Sequence, residues 1–129
     1  MIDRPDLIVD TSAVLAYAFE ERGGEAMADL LPRAGICSVN LTEIVSKFVD
    51  KGSSGEDARA ATAAIGLHVI VADVDLALSA GAMREGTRHL GLSLGDRFCL
   101  ALGRRTGLPV YTADRRWAEL PGVDVRLIR

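Results

Sequence analysis

Asp10, Glu43, Asp96 and Asp114 are the side chains whose type and placement point to chemistry. Asp10 closes the short apolar run Leu7-Ile8-Val9, and Asp114 follows the run Val110-Tyr111-Thr112 by two positions. Glu43 and Asp96 fall in the opening turns of two segments with helical spacing. Carboxylates collected at one edge of a sheet repel one another and push each other's pKa upward. A divalent cation such as Mg²⁺ or Mn²⁺ removes that cost by taking oxygen ligands. The chemistry such a centre supports is hydrolysis of a phosphodiester. Asp10, Asp96 and Asp114 are the expected metal holders, and Glu43 is expected to position metal or water. The competing explanation is numerical: 18 acidic residues among 129 place some at element ends by chance.

Thr11, Ser12 and Thr112 lie close enough in sequence to orient these carboxylates or a water, although capping and turn hydrogen bonds also account for hydroxyls at such positions. Arg97, Arg115 and Arg116 adjoin the acidic residues and are candidates for contact with nucleic-acid phosphates. Other catalytic signatures are missing. The chain has no GxxxxGK[ST] phosphate cradle, no HExxH helix and no GxSxG elbow. Cys37 and Cys99 form no CxxC pattern and have no neighbouring histidine, so both read as buried small hydrophobes. His68 and His89 read as structural.

The elements that must carry these residues alternate along the chain. Residues 6–10 read as a first strand, followed by a helix from Thr11 to Phe19 that Thr11 or Ser12 can cap. A second helix spans residues 25–31 and stops at Pro32. Residues 35–39 read as a buried strand, after which Asn40 or Thr42 caps a helix. Its apolar positions 41, 44, 45, 48 and 49 recur at helical spacing and leave Glu43 off the stripe. An alanine-rich helix covers 56–64 and a strand 68–71. A longer helical segment follows, capped by Asp75, with Leu76, Leu78, Ala82 and Met83 as core positions. Ser93-Leu94-Gly95-Asp96 introduces another helix ending at Gly107. Strands at 109–112 and 123–127 flank a turn that holds Trp117 and Leu120. Apolar strands separated by helices imply a mainly parallel sheet covered on both faces. In such sheets ligands bind outside the carboxyl ends of the strands, where these acids are expected to lie.

Bulk properties agree with one compact α/β domain over residues 1–129. Apolar residues make up 49% of the chain, which excludes general disorder. No apolar run approaches the roughly 20 residues of a membrane helix, the N-terminus does not read as a signal peptide, and a cytoplasmic location is expected. Residues 1–75 carry 13 acidic and 6 basic side chains; residues 76–129 carry 5 and 9, and all nine are arginine. A phosphate-binding rim beside an acidic centre is compatible with that split, as are ordinary solvated helix faces.

The blocks LIVDTSAVLAYAFEE, SVNLTEIVSKF and LSLGDRFCLALGRRTGLPVYTADRRWAEL, taken in order, resemble the PIN domains, in particular the VapC toxins of toxin–antitoxin pairs. The resemblance implies a PIN-like three-layer α/β/α sandwich whose acidic site comprises Asp10, Glu43, Asp96 and Asp114. It implies a Mg²⁺- or Mn²⁺-dependent endoribonuclease that leaves a 3′-hydroxyl and a 5′-phosphate. It also implies a cognate VapB-like antitoxin that blocks the site, and a homodimer that can join a larger toxin–antitoxin assembly. Two departures stand out. Arg97 and Phe98 follow Asp96 where small residues are common, and Arg115 and Arg116 occupy positions near Asp114 where some PIN domains have a further acid.

Four competing functions are weighed by the sequence, and the residues speak against the second and third. A catalytically silent PIN-like binding or regulatory domain keeps the scaffold, although the acidic set is intact. A receiver-like phosphoacceptor wants a late lysine, whereas the only lysines are Lys47 and Lys51. A haloacid-dehalogenase-type phosphatase wants a second aspartate two positions after Asp10, where this chain has Ser12. A metal-dependent DNA nuclease is separated from a ribonuclease only by substrate shape.

Overall fold

The computed structural model describes residues 4–129, whose five short strands form one parallel sheet. In chain order the strands are β1 (Leu7–Val9), β2 (Ala34–Cys37), β3 (His68–Ile70), β4 (Val110–Thr112) and β5 (Val125–Leu127). Their spatial order is β3-β2-β1-β4-β5. β1 is therefore central, pairing with β2 through Leu7↔Ala34 and with β4 through Ile8↔Val110. The helices are α1 (Thr11–Ala18), α2 (Gly24–Met27), α3 (Ser38–Asp50), α4 (Gly55–Ala64), α5 (Val74–Ala82) and α6 (Leu94–Thr106).

Alternation along the strands separates two cores. Leu7, Val9, Ala34 and Ile36 face one side, where they meet Ala13, Val14, Met27 and Ile44. Ile8, Cys37 and Val110 face the other, against Leu76, Ala80, Cys99, Leu100, Leu102 and Trp117. Burial on both faces explains why β1 is apolar throughout rather than alternating with polar residues. The architecture is a three-layer α/β/α sandwich with a parallel sheet in the middle, as the sequence implied. Among the described residues no helix is long and apolar enough to cross a membrane.

Several local expectations change. Asp10, not Thr11 or Ser12, caps α1: it is extended, and its Oδ1 accepts from the Ala13 N–H at 2.8 Å. α2 is only four residues long, and Pro32 lies in a 3₁₀ turn, Leu31–Arg33. α3 begins directly at the end of β2, so Asn40 and Thr42 lie inside the helix rather than at its cap. Asp73, not Asp75, caps α5 through the Leu76 N–H. α5 stops at Ala82 and gives way to turns around Gly86 and a 3₁₀ turn at Arg88–Leu90. Its buried stripe is Leu76, Ala80 and Met83, at i, i+4 and i+7. Leu78 and Ala82 fall off that stripe and are exposed. Gly107 does end α6, at φ 71°, the left-handed geometry that glycine adopts without strain.

Candidate active site

Four elements bring four acids to one cleft at the carboxyl edge of the sheet. Asp10 comes from the end of β1, Glu43 from α3, Asp96 from the first turn of α6 and Asp114 from the turn after β4. All four line a cleft of about 210 Å³ together with Thr11, Ser12, Asn40 and Lys47. The side chains lining this cleft thus include every acid that the sequence put forward.

Asp10 is buried at 5% exposure, and its oxygens are held from several sides. Thr112 Oγ1 donates to Oδ2 at 2.6 Å, and Ser12 Oγ lies 2.7 Å from Oδ1 and 2.9 Å from Oδ2. These donors do not offset the loss of water: burial pushes the Asp10 carboxyl up to about 6. Thr112 Oγ1 in turn accepts from the Asp114 N–H at 3.0 Å, and Ser12 Oγ accepts from Ala113 N–H at 2.9 Å. The two hydroxyls therefore tie the end of β1 to the turn after β4.

Glu43 is positioned by a different pair. Thr11 Oγ1 donates to its Oε1 at 2.6 Å, and Asn40 Nδ2 donates to the same atom at 2.9 Å. Asn40 also donates to the Gly95 carbonyl at 3.1 Å, joining α3 to α6 across the sheet edge. The buried Oδ1 of Asn40 has no donor among the described residues. Gly95 is required by this contact, since a Cβ there would stand 2.6 Å from Glu43 Oε1 and 2.7 Å from its Cδ.

Asp96 is oriented by a capping box with Ser93: its N–H donates to Ser93 Oγ at 3.1 Å, and its Oδ2 accepts from the Ser93 N–H at 2.9 Å. Burial raises its pKa, with further contributions from the charges of Asp114 and Glu43. Asp114 shifts the opposite way, because the Arg116 side chain binds it. Arg116 Nη2 donates to Asp114 Oδ2 at 2.5 Å, and Nε donates to Oδ1 at 3.0 Å. The same Nη2 lies 4.0 Å from Asp96 Oδ2, and Nη1 donates to the Leu90 carbonyl at 2.6 Å. Arg116 thus sits at the mouth of the acidic cleft as a fixed positive charge. As the side chains stand, no three acidic, histidine or cysteine groups among the described residues come together closely enough to hold a metal ion.

The other two arginines do not join this cleft. Arg115 is exposed and donates to the Arg129 carbonyl at 2.8 Å. Arg97 is 7% exposed and turns toward α5, donating to the Ala80 carbonyl at 3.0 Å. Asn40, Lys47, Ser93 and Gly95 were not among the candidates from sequence. The Ser93-x-x-Asp96 pattern was a readable signal for a capping box. Lys47 lies one turn after Glu43, and Asn40 three positions before it, spacings that place them on the same helix face.

Residues 7–123 match the PIN domain family, and the chain belongs to it. No curated protein matches the chain by sequence. Among solved structures, the DNA-bound VapBC complex of Salmonella typhimurium contains a chain of the same fold, with TM-score 0.75 and 20% identity over 97% of this chain and 99% of that one. A toxin–antitoxin complex from Klebsiella pneumoniae gives TM-score 0.73 and 21% identity over 95% and 98% of the respective chains. Mycobacterium tuberculosis VapC20, a sarcin-ricin loop cleaving toxin, gives 0.74 and 24% over 93% and 98%. The chain is thus a PIN-domain protein close in fold to VapC toxins.

Proposed function

We propose that this protein is a metal-dependent endoribonuclease and the toxin of a toxin–antitoxin pair. The observation that carries the reading is the convergence of Asp10, Glu43, Asp96 and Asp114 on one cleft at the carboxyl edge of a PIN-domain sheet. The donor set suits a hard divalent cation, Mg²⁺ or Mn²⁺: it is all oxygen and rich in negative charge, and Asp10 and Asp96 are both shifted toward the protonated form by burial. Asp10 and Asp96 would hold the ion, with Asp114 available once it releases Arg116 and Glu43 directed at the ion or the attacking water. When bound, the ion supplies a water of lowered pKa and neutralises charge on the phosphate. Thr11 and Asn40 fix the direction of Glu43, while Ser12 and Thr112 fix Asp10. Lys47, at the same cleft, supplies a positive charge toward an incoming phosphate.

The fold relatives found in toxin–antitoxin complexes support a VapB-like antitoxin as partner. On this reading residues 1–129 form one nuclease unit that acts in the cytoplasm as a homodimer. One observation favours a second reading, a catalytically silent PIN scaffold: Asp114 is bound on both oxygens by Arg116.

The deciding experiment is incubation of purified, antitoxin-free protein with total cellular RNA in Mg²⁺, in Mn²⁺ and in chelator, beside Asp96→Asn. Discrete cuts that need metal and vanish in the variant support the nuclease. A folded protein that cuts RNA under neither metal supports the silent scaffold, and cutting of DNA alone moves the substrate to DNA.

A further inference from the structure

We infer that a second, cationic cleft behind the carboxylate centre holds a backbone phosphate of the RNA strand; this rests on the nuclease reading above. The chain between α5 and α6 folds around a cavity of about 300 Å³ lined by Arg84, Thr87, Arg88, Gly91, Leu92 and Arg97. Three of the six lining residues are arginines and none is acidic. Arg84 and Arg88 are exposed, and neither pairs with a carboxylate among the described residues.

Arg97 is the second and independent observation. It is more than nine-tenths buried, yet its one hydrogen bond goes to the Ala80 carbonyl, and its buried Nε has no acceptor. A buried guanidinium with a single acceptor is costly, because burial removes the water that would solvate its charge. Its planar fork matches the oxygens of a phosphate. Thr87 does not compete for such a ligand, since its hydroxyl already donates to the Met83 carbonyl at 2.7 Å. A ligand with several anionic oxygens would satisfy Arg97 and meet the two free guanidinium groups at the rim.

Continuity with the acidic centre identifies that ligand as part of the same strand. Asp96 and Arg97 are consecutive on α6 and project about 100° apart. The cavity wall at Gly91 and Leu92 adjoins Leu90, whose carbonyl accepts from Arg116 Nη1, and the same guanidinium binds Asp114. A strand with its scissile phosphate over the carboxylates can therefore lay a neighbouring phosphate into the arginine cleft.

The test is fluorescence anisotropy of a labelled single-stranded RNA of mixed sequence, in chelator so that binding is read without cutting. The proteins are wild type, Arg84→Ala/Arg88→Ala, Arg97→Lys, and Arg59→Ala as a control for loss of charge on the far side of the sheet. Loss of one neutralised phosphate should weaken binding by roughly fivefold at ~0.1 M salt and lower the slope of log K against log salt by about 0.7. Arg97→Lys, which keeps charge but lacks the fork, should weaken binding with little change in slope. Equal affinities in Arg84→Ala/Arg88→Ala and Arg59→Ala would overturn the inference. So would a wild-type melting temperature raised by inorganic phosphate, and unraised in the double variant, while RNA affinity stays constant, because the cleft would then hold free phosphate. The two readings fail separately. Metal-dependent cutting with unmoved affinity removes only the cleft, whereas lost affinity in a protein that never cuts removes only the nuclease.

Discussion

Gly95→Ala should damage activity far more than stability. Glycine at position 95 leaves room for the Glu43 carboxylate, and a Cβ there would stand 2.6 Å from Oε1, where ordinary contact begins near 3.4 Å. Oε2 stands closer still, so the carboxylate must retreat by at least about 0.8 Å, the difference between those two distances. Moving that far along either bond breaks the 2.6 Å contact from Thr11 and the 2.9 Å contact from Asn40. Hydrogen bonds to a charged group contribute about 1.5–3 kcal/mol each. The half-exposed carboxylate recovers much of that from water, and alanine improves the helix by about 1 kcal/mol over glycine. The net stability loss should be below about 2 kcal/mol, a few degrees in melting temperature. Displacement of a reacting or water-positioning group by about 1 Å costs on the order of a hundredfold in rate. The assay pairs kcat on a substrate RNA in Mg²⁺ with thermal unfolding by circular dichroism. Gly81→Ala is the control: it lies in α5 with nothing within 4 Å of its Cβ, so it should keep full activity. Activity of Gly95→Ala within threefold of wild type would refute the reasoning, since Glu43 would then need no fixed position.

Three further outcomes follow from the electrostatics. Asp10 sits at about 6 in the folded chain, above its unfolded value, so its contribution to stability is complete below about pH 4 and is lost as pH rises through about 6. Asp10→Asn cannot ionise and should gain on the order of 3 kcal/mol over wild type between pH 4 and pH 7 without metal, read by urea unfolding; a pH-independent difference would show that burial does not govern Asp10. Thr112→Val removes the 2.6 Å donor to Asp10 and the 3.0 Å acceptor of the Asp114 N–H. It should cost about 1.5–3 kcal/mol, more at pH 8 than at pH 5; equal losses at both would be the contrary result. Arg116→Ala frees Asp114 and removes a positive charge 4.0 Å from Asp96, so Mn²⁺ affinity by calorimetry should rise by about tenfold; unchanged affinity would mean that Arg116 leaves the ion's position clear.

Much of this arrangement was legible because short apolar runs and the acids that follow them occupy fixed places in a parallel sheet. Leu7-Ile8-Val9 has no polar face, which marked a strand covered on both sides and put Asp10 at its end. What the sequence concealed was direction. Arg97 and Asp96 are neighbours, yet one turns to α5 and the other to the cleft, because successive helical residues rotate by about 100°. Arg116 looked like a phosphate contact, but its nearest anion is Asp114, two residues away, and that pairing wins over distance. The caps of α1 and α5 were misplaced for a shared reason: Asp10 and Asp73 stand one position before the helix begins, where an extended carboxylate reaches the N–H three residues on. The part Asn40 plays at the site escaped notice because its partner across the sheet edge is the Gly95 carbonyl, a main-chain group that no side-chain pattern reveals.

The bond from Thr112 to Asp10 joins residues 102 apart in the chain. At bacterial and eukaryotic translation speeds that interval takes on the order of 5–20 s to synthesise. During it, the nascent chain carries Asp10, Glu43 and finally Asp96, but not the strand that fastens the first acid in place. A site spread in this way is assembled only late in the chain's own production. The parallel order with β1 in the middle imposes that delay, since the central strand gains its second neighbour only from β4.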